Sequence, residues 1–237
     1  MAPLPKKTPV QVARARALLA ALKRRYPNAA CALHAGAPHE LLIATILSAQ
    51  ATDASVNRAT PALFAAFPTV EAFAKATPEA IAPFVTTINF WRMKARAIHE
   101  SMSKIARAYG GQVPRTMEEL VTLRGVARKT ANVVLGNAFG INDGVVVDTH
   151  VGRLSKRMGL SRHTDPVKVE RDLMTLFPRS SWCVLSHLLI EHGRAACKAR
   201  GASCAEDAIC RKYCSDGIRG ARGARAGTTG SRSRSRR

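Results

Sequence analysis

Apolar residues recur at helical spacing along most of this chain. Thr8-Pro9 reads as an N-cap followed by proline at the first helical position. Val10, Ala13, Ala17, Leu18 and Ala21 then repeat on one face until Tyr26-Pro27-Asn28 stops the run. The same pattern predicts short amphipathic helices over 39–51, 54–66, 69–75, 78–84, 91–109 and 116–122, with Pro68, Pro78 and Pro114 near starts. Further helices are expected over 149–158, stopping at Gly159, and over 166–177 and 181–192. One brief β-like stretch, Val145-Val146-Val147, ends at Asp148. No internal repeat occurs. From Gly217 the chain becomes a low-complexity Gly/Ala/Ser/Arg segment, read as a disordered basic tail over 217–237.

Composition narrows the partner. With 237 residues, 46% of them apolar, the chain can bury a real core in one or two domains, so wholesale disorder is excluded. No apolar run approaches the ~20 residues that span a bilayer. Lys and Arg number 37 against 16 Asp and Glu, a formal charge of +21. Removing the seven arginines of 217–237 leaves +14, so the folded part is basic in its own right and points to nucleic acid. No acidic residue precedes Glu40, but no secretory apolar core with a cleavage site is present. A reducing, cytoplasmic and nucleoid-associated setting is therefore expected, with disulfides disfavoured.

The most informative stretch runs Leu123-Arg124-Gly125-Val126-Ala127-Arg128-Lys129-Thr130-Ala131-Asn132. A helix ending near Leu123, a tight turn at Gly125 and a helix beginning near Lys129 make a helix–hairpin–helix. Its turn amides and helix start can grip a phosphate without reading bases. Three more blocks accompany it: Leu47-Ser48-Ala49-Gln50-Ala51-Thr52-Asp53, Val147-Asp148-Thr149-His150-Val151-Gly152-Arg153, and His192-Gly193-Arg194 followed by Cys197. In this order they resemble the endonuclease III family of DNA glycosylases, over roughly residues 10–214. The hairpin departs from that family's Leu-Pro-Gly-Val-Gly, with Arg124 for the proline and Ala127 for the second glycine. A positive φ at Ala127 would cost about 1 kcal/mol, and Arg124 is expected to compensate with a charged phosphate contact.

The resemblance implies an all-α, two-lobed fold with a C-terminal iron–sulfur loop. A central helical domain is expected over 31–141 and a second lobe from 1–30 plus 142–216, with DNA crossing between them. It implies that Lys129 attacks C1′ of a damaged nucleotide and forms a Schiff base, the helix start, Arg128 and desolvation favouring the neutral amine. Read without the flanking blocks, Lys129 is an ordinary phosphate-binding lysine in a basic hairpin. Asp148 reads from spacing as an N-cap; the resemblance adds stabilisation of a cationic sugar or deprotonation of Lys129. Gln50 would enter the duplex where the base leaves, and Phe90, after an Asn89 that replaces the family's usual glycine, would wedge the opposite strand. Gln50, Phe90, Arg124, Gly125, Ala127 and Thr130 form the expected DNA-binding set.

Of six cysteines, Cys31 and Cys183 stand apart and read as buried apolar residues. Cys197, Cys204, Cys210 and Cys214 crowd together with gaps of six, five and three. Such crowding favours a metal site over disulfides. The resembling family holds a [4Fe–4S] cluster with gaps of six, two and five. Here Asp207 stands at the third position and Cys214 one residue past the fourth. Ligation by all four cysteines is the preferred reading, with zinc or no metal as alternatives. His150, His187 and His192 are not spaced as a metal triad, and Met174 and Trp182 read as core. The expected function is base-excision repair: a bifunctional glycosylase and β-eliminating AP lyase, monomeric, acting on oxidised pyrimidines or abasic sites in duplex DNA. The competitors are an adenine-type glycosylase relative and a non-catalytic or weakly active damage-binding protein.

Overall fold

Threonine and aspartate decide where the helices begin. The structure is a computed structural model that describes residues 3–200 and 204–214; the expected basic tail lies outside the described residues. The chain forms α1 (Pro9–Arg25), α2 (Pro38–Leu47), α3 (Asp53–Ala66), α4 (Val70–Lys75) and α5 (Pro78–Ile81). A 3₁₀ turn (Ala82–Val85) precedes α6 (Trp91–Ala108), α7 (Met117–Leu120), α8 (Arg128–Phe139), α9 (Thr149–Arg157) and α10 (Pro166–Leu176). A second 3₁₀ turn (Arg179–Ser181) leads into α11 (Trp182–Ala195), and α12 (Ala208–Tyr213) follows. Thr8, Thr52, Thr69, Thr77 and Thr116, together with Asp148, Asp165 and Asp207, each accept a backbone N–H in the first turn of the helix they precede. Each cap is worth about 1 kcal/mol, which matters for helices of four to six residues that cannot nucleate alone. Thr8 and Gln11 complete a reciprocal capping box, as the Thr8-Pro9 signal implies.

The architecture is all-α, and no strand occurs among the described residues. Val145–Val147 is therefore not a strand but extended loop, with Val145 buried. It is a single apolar run, and a strand without a partner leaves its ladder hydrogen bonds unmade. Three predicted helices are also shortened, that over 116–122 to Met117–Leu120. The run over 39–51 stops at Leu47, and that over 78–84 becomes 3₁₀ from Ala82, where Pro83 lacks the N–H to continue an α-helical ladder.

Two compact units divide the chain: residues 30–146, and the segment to Ala29 joined with the chain from Val147 onward. In the first, α2 is the core element. Leu41 through Leu47 are all buried, as expected of a helix apolar on every side, and α3, α6 and α8 pack around it. Phe73, Ile98, Met102, Leu120 and Val134 extend that core. In the second unit α1 packs against α10, α11 and α12, and α9 packs on α11. Arg14 of α1 donates to Met158 O at 2.8 Å and Tyr213 O at 2.7 Å, and its guanidinium lies over the Tyr213 ring. Met174 and Trp182 are core here, whereas Cys31, in the α1–α2 connection, and Cys183, in the first turn of α11, are only half-buried. No single helix among the described residues is long and apolar enough to cross a membrane.

Candidate active site

The hairpin is held from beneath. Gly125 has φ 78, and a Cβ there would lie 3.3 Å from Ala97 Cβ on α6 and 3.5 Å from Ile46 Cγ2 on α2. Glycine is thus required twice, for left-handed backbone and for close approach to two core helices. Val126 is buried, Ser101 Oγ donates to Arg124 O at 2.8 Å, and Lys104 Nζ donates to Thr122 O at 3.2 Å. Ala127 is extended, with φ −93 and ψ 171, so the strain anticipated at this position does not arise. It supplies no side-chain cap to α8, leaving that helix start to an incoming acceptor. The Arg124 side chain is exposed and pairs with Glu100 at 3.0 Å on the surface. Lys129, in the first turn of α8, is exposed, Thr130 is half-buried, and Arg128 lies 3.7 Å from Asp143.

Gln50 and Phe90 come together. They are the two non-glycine residues with positive φ among the described residues, at 52 and 58, and both are exposed. Asn89 Nδ2 donates to Gln50 O at 2.9 Å, joining the two turns. From beneath, Lys94 Nζ donates to Leu47 O at 2.8 Å and Ala49 O at 2.6 Å. Burial pushes the Lys94 ammonium below the ordinary lysine range. Sequence reading missed both Asn89 and Lys94 in this role. The only available signal was the asparagine standing where the resembling family has glycine.

Asp148 caps α9, accepting from Val151 N at 2.8 Å, and is half-buried. The dipole of α9 and the cap hold the carboxylate in one orientation. Behind it, Arg153 Nη2 lies 3.2 Å from His150 Nδ1 and donates to Gly193 O and Cys197 O. A Cβ at Gly193 would sit 3.0 Å from both Arg153 Nη2 and His150 Nδ1. That is the physical reason for the small residue in His192-Gly193-Arg194: it lets α11 approach α9.

The four C-terminal cysteines converge. The sulfurs of Cys197, Cys210 and Cys214 all lie within 4.8 Å of one another, and Cys204 Sγ is 3.9 Å from Cys197 Sγ. Cys197 is held well below the ordinary thiol range by hydrogen bonds from Cys210 and Cys214 and then by the Arg157 guanidinium, whose Nη1 is 3.4 Å from its sulfur. Cys214 is pushed up to about 12, chiefly by its hydrogen bond to Cys197. A bound metal would take these sulfurs as thiolates, releasing their protons. Four buried or half-buried thiols fit an iron–sulfur cluster, or zinc, by donor chemistry. Asp207 instead caps α12, accepting from Cys210 N at 2.9 Å. His192 is fully buried, and burial lowers its pKa. With Nε2 protonated it accepts from Tyr26 Oη at Nδ1, 2.9 Å away, and points its N–H at Cys210 Sγ, 3.3 Å away.

The sequence pattern of the HhH-GPD superfamily of base excision DNA repair proteins matches residues 43–179. Over 193 residues the chain is 51% identical to the endonuclease III of Synechocystis sp., spanning 81% of this chain and 88% of that protein. The chain belongs to the endonuclease III family. The endonuclease III of Bacillus subtilis is 45% identical over 182 residues, 76% of this chain and 83% of that one. A solved structure of a trapped endonuclease III–DNA covalent intermediate superposes with a TM-score of 0.82 at 38% identity, covering 89% of this chain and 98% of that chain. A thermostable thymine-DNA glycosylase shares the fold, with a TM-score of 0.77 at 20% identity over 87% of this chain and 98% of that one. As an endonuclease III, the chain is a base-excision-repair DNA glycosylase with AP lyase activity, and a purely damage-binding role is not favoured.

Proposed function

We propose that this endonuclease III removes oxidised pyrimidines from duplex DNA and cleaves the resulting abasic site, with Lys129 as nucleophile and Asp148 as its partner. The neutral Lys129 amine attacks C1′, the bond to the base breaks, and its electron pair leaves with the base. The sugar ring opens to a protonated imine. Loss of a C2′ proton then expels the 3′-phosphate by β-elimination, and water releases the lysine. Asp148 takes the proton from Lys129 and faces the developing positive charge on the sugar. Gln50 fills the space of the extruded base, Phe90 stacks in the opposite strand, and the hairpin over 124–130 holds a phosphate. A single observation carries this reading: an exposed lysine opens an uncapped helix behind a glycine hairpin, in a chain 51% identical to an endonuclease III.

A [4Fe–4S] cluster is proposed on Cys197, Cys204, Cys210 and Cys214. When bound it orders their loop, which carries Lys198, Arg200, Arg211 and Lys212, for contact with phosphate. The high positive charge supports a monomer acting on chromosomal DNA in the nucleoid. Borohydride trapping on a duplex with one thymine glycol tests the mechanism, because borohydride reduces a Schiff base to a stable adduct. Wild type is expected to trap and Lys129→Ala to lose the adduct. Trapping by Lys129→Ala at the wild-type level overturns the assignment.

A further inference from the structure

Lys94 is 7% exposed, and among the described residues no carboxylate pairs with it. It lies in the first turn of α6, where a cation opposes the helix dipole. A buried, unpaired ammonium is costly, and an aliphatic side chain would fill the same space without that cost. What the charge does is visible in its partners. The ammonium spans to the C-terminal end of α2, where two carbonyls have no helical donor, and takes Leu47 O and Ala49 O together. The next carbonyl, that of Gln50, is taken by Asn89. One segment, residues 89–94, therefore holds three backbone oxygens of the turn that bears Gln50, and the same segment bears Phe90. Both turns are left-handed at non-glycine residues, which persist only where the surroundings over-determine them.

We infer that Lys94 is a positioning residue for base extrusion, fixing the Gln50 and Phe90 turns as one rigid pair that enters the duplex together. This rests on the proposed roles of Gln50 and Phe90. An abasic nucleotide has no base to extrude, so its cleavage depends less on the pair than excision of a damaged base does. A misplacement of about 1 Å at such a site costs up to about a hundredfold in rate.

The test compares wild type, Lys94→Met, Lys94→Arg, Asn89→Ala, Gln50→Ala and the Lys94→Met/Gln50→Ala double variant in single turnover. One substrate carries thymine glycol and the other a preformed abasic site, and 2-aminopurine beside the lesion reports extrusion by fluorescence. Lys94→Met is expected to slow excision by about tenfold to a hundredfold and to weaken the 2-aminopurine signal, while abasic cleavage falls far less. Lys94→Arg, which keeps donors for the two carbonyls, recovers excision. The double variant is no slower than the slower single one, because both act through one element. Asn89 is exposed, so Asn89→Ala leaves the core intact and is expected to show the same split even where Lys94→Met folds poorly. Equal losses on both substrates, multiplicative losses in the double variant, or wild-type excision by both Lys94→Met and Asn89→Ala would each overturn the inference. A wild type that forms no borohydride adduct on abasic DNA would instead overturn the proposed chemistry, and the fluorescence would still read the role of Lys94.

Discussion

Replacing Gly125 by alanine introduces one methyl group and two separate costs. The first is dihedral: at φ 78 an L-residue pays about 1–2 kcal/mol relative to glycine. The second is steric, because the new Cβ would stand 3.3 Å from Ala97 Cβ, tighter than ordinary contact, and 3.5 Å from Ile46 Cγ2. Both neighbours lie on buried core helices that cannot retreat freely, so overpacking adds about 1 kcal/mol or more. The expected total is about 2–3 kcal/mol. Urea unfolding can read this locally, because the two tryptophans fall in different units, Trp91 in one and Trp182 in the other. In a Trp182→Phe background, Trp91 fluorescence follows the unit carrying the hairpin. Ala97→Gly removes the closer contact but leaves the dihedral cost, so the double-mutant cycle should show a coupling of about 1 kcal/mol. A loss below about 0.5 kcal/mol for Gly125→Ala would refute the claim that both demands fix glycine here.

Three further outcomes are expected. Asp207→Ser keeps a capping oxygen and should retain iron and the visible cluster absorbance, whereas Cys204→Ser should lose iron; the reverse result would make Asp207 a ligand and Cys204 a bystander. Glu100→Gln frees Arg124 from its surface ion pair, and duplex affinity should rise a few-fold at low salt with a steeper salt dependence by about one phosphate contact, read by fluorescence anisotropy. Burial lowers the His187 pKa, so between that value and about 6.5 the unfolded chain binds more protons. Wild-type stability should therefore fall as pH drops through about 6.5, and its advantage over His187→Gln in thermal melting should narrow over the same range; a constant gap would exclude the coupling.

Local signals carried far along this chain. Thr8-Pro9 marks the start of α1 because a cap and a fixed φ act within one turn, and the glycine of the hairpin is legible because few residues accept its backbone. The four cysteines declare a shared site by chemistry alone, although their spacing does not say that Asp207, beside Cys210, caps α12. What stayed hidden was set by distant partners. Lys94 sits in an amphipathic helix where a lysine ordinarily faces water, and its acceptors lie 47 and 45 residues earlier. Arg124 also has a surface partner that the sequence does not show, Glu100, 24 residues away. Val145–Val147 has the residues of a strand, but pairing needs a second strand that the described residues do not offer. Ala127 escapes the anticipated strain because an extended N-cap meets the helix without left-handed backbone.

The division of the chain also sets an order of assembly during synthesis. Residues 30–146 are contiguous, so everything that unit needs has left the ribosome before the other can begin to close. Helix α1 must wait for its partners, since Arg14 finds its acceptors only at Met158 and Tyr213. At about 5–20 residues per second, the stretch from Val147 to Cys214 takes about 3–14 s to appear. Throughout that interval the apolar face of α1 is an unsatisfied surface on a nascent chain whose hairpin-bearing unit is already able to fold. Slowing translation within 147–214 would lengthen the exposure of α1 without touching the hairpin. Moving α1 to the far end by circular permutation would abolish the wait.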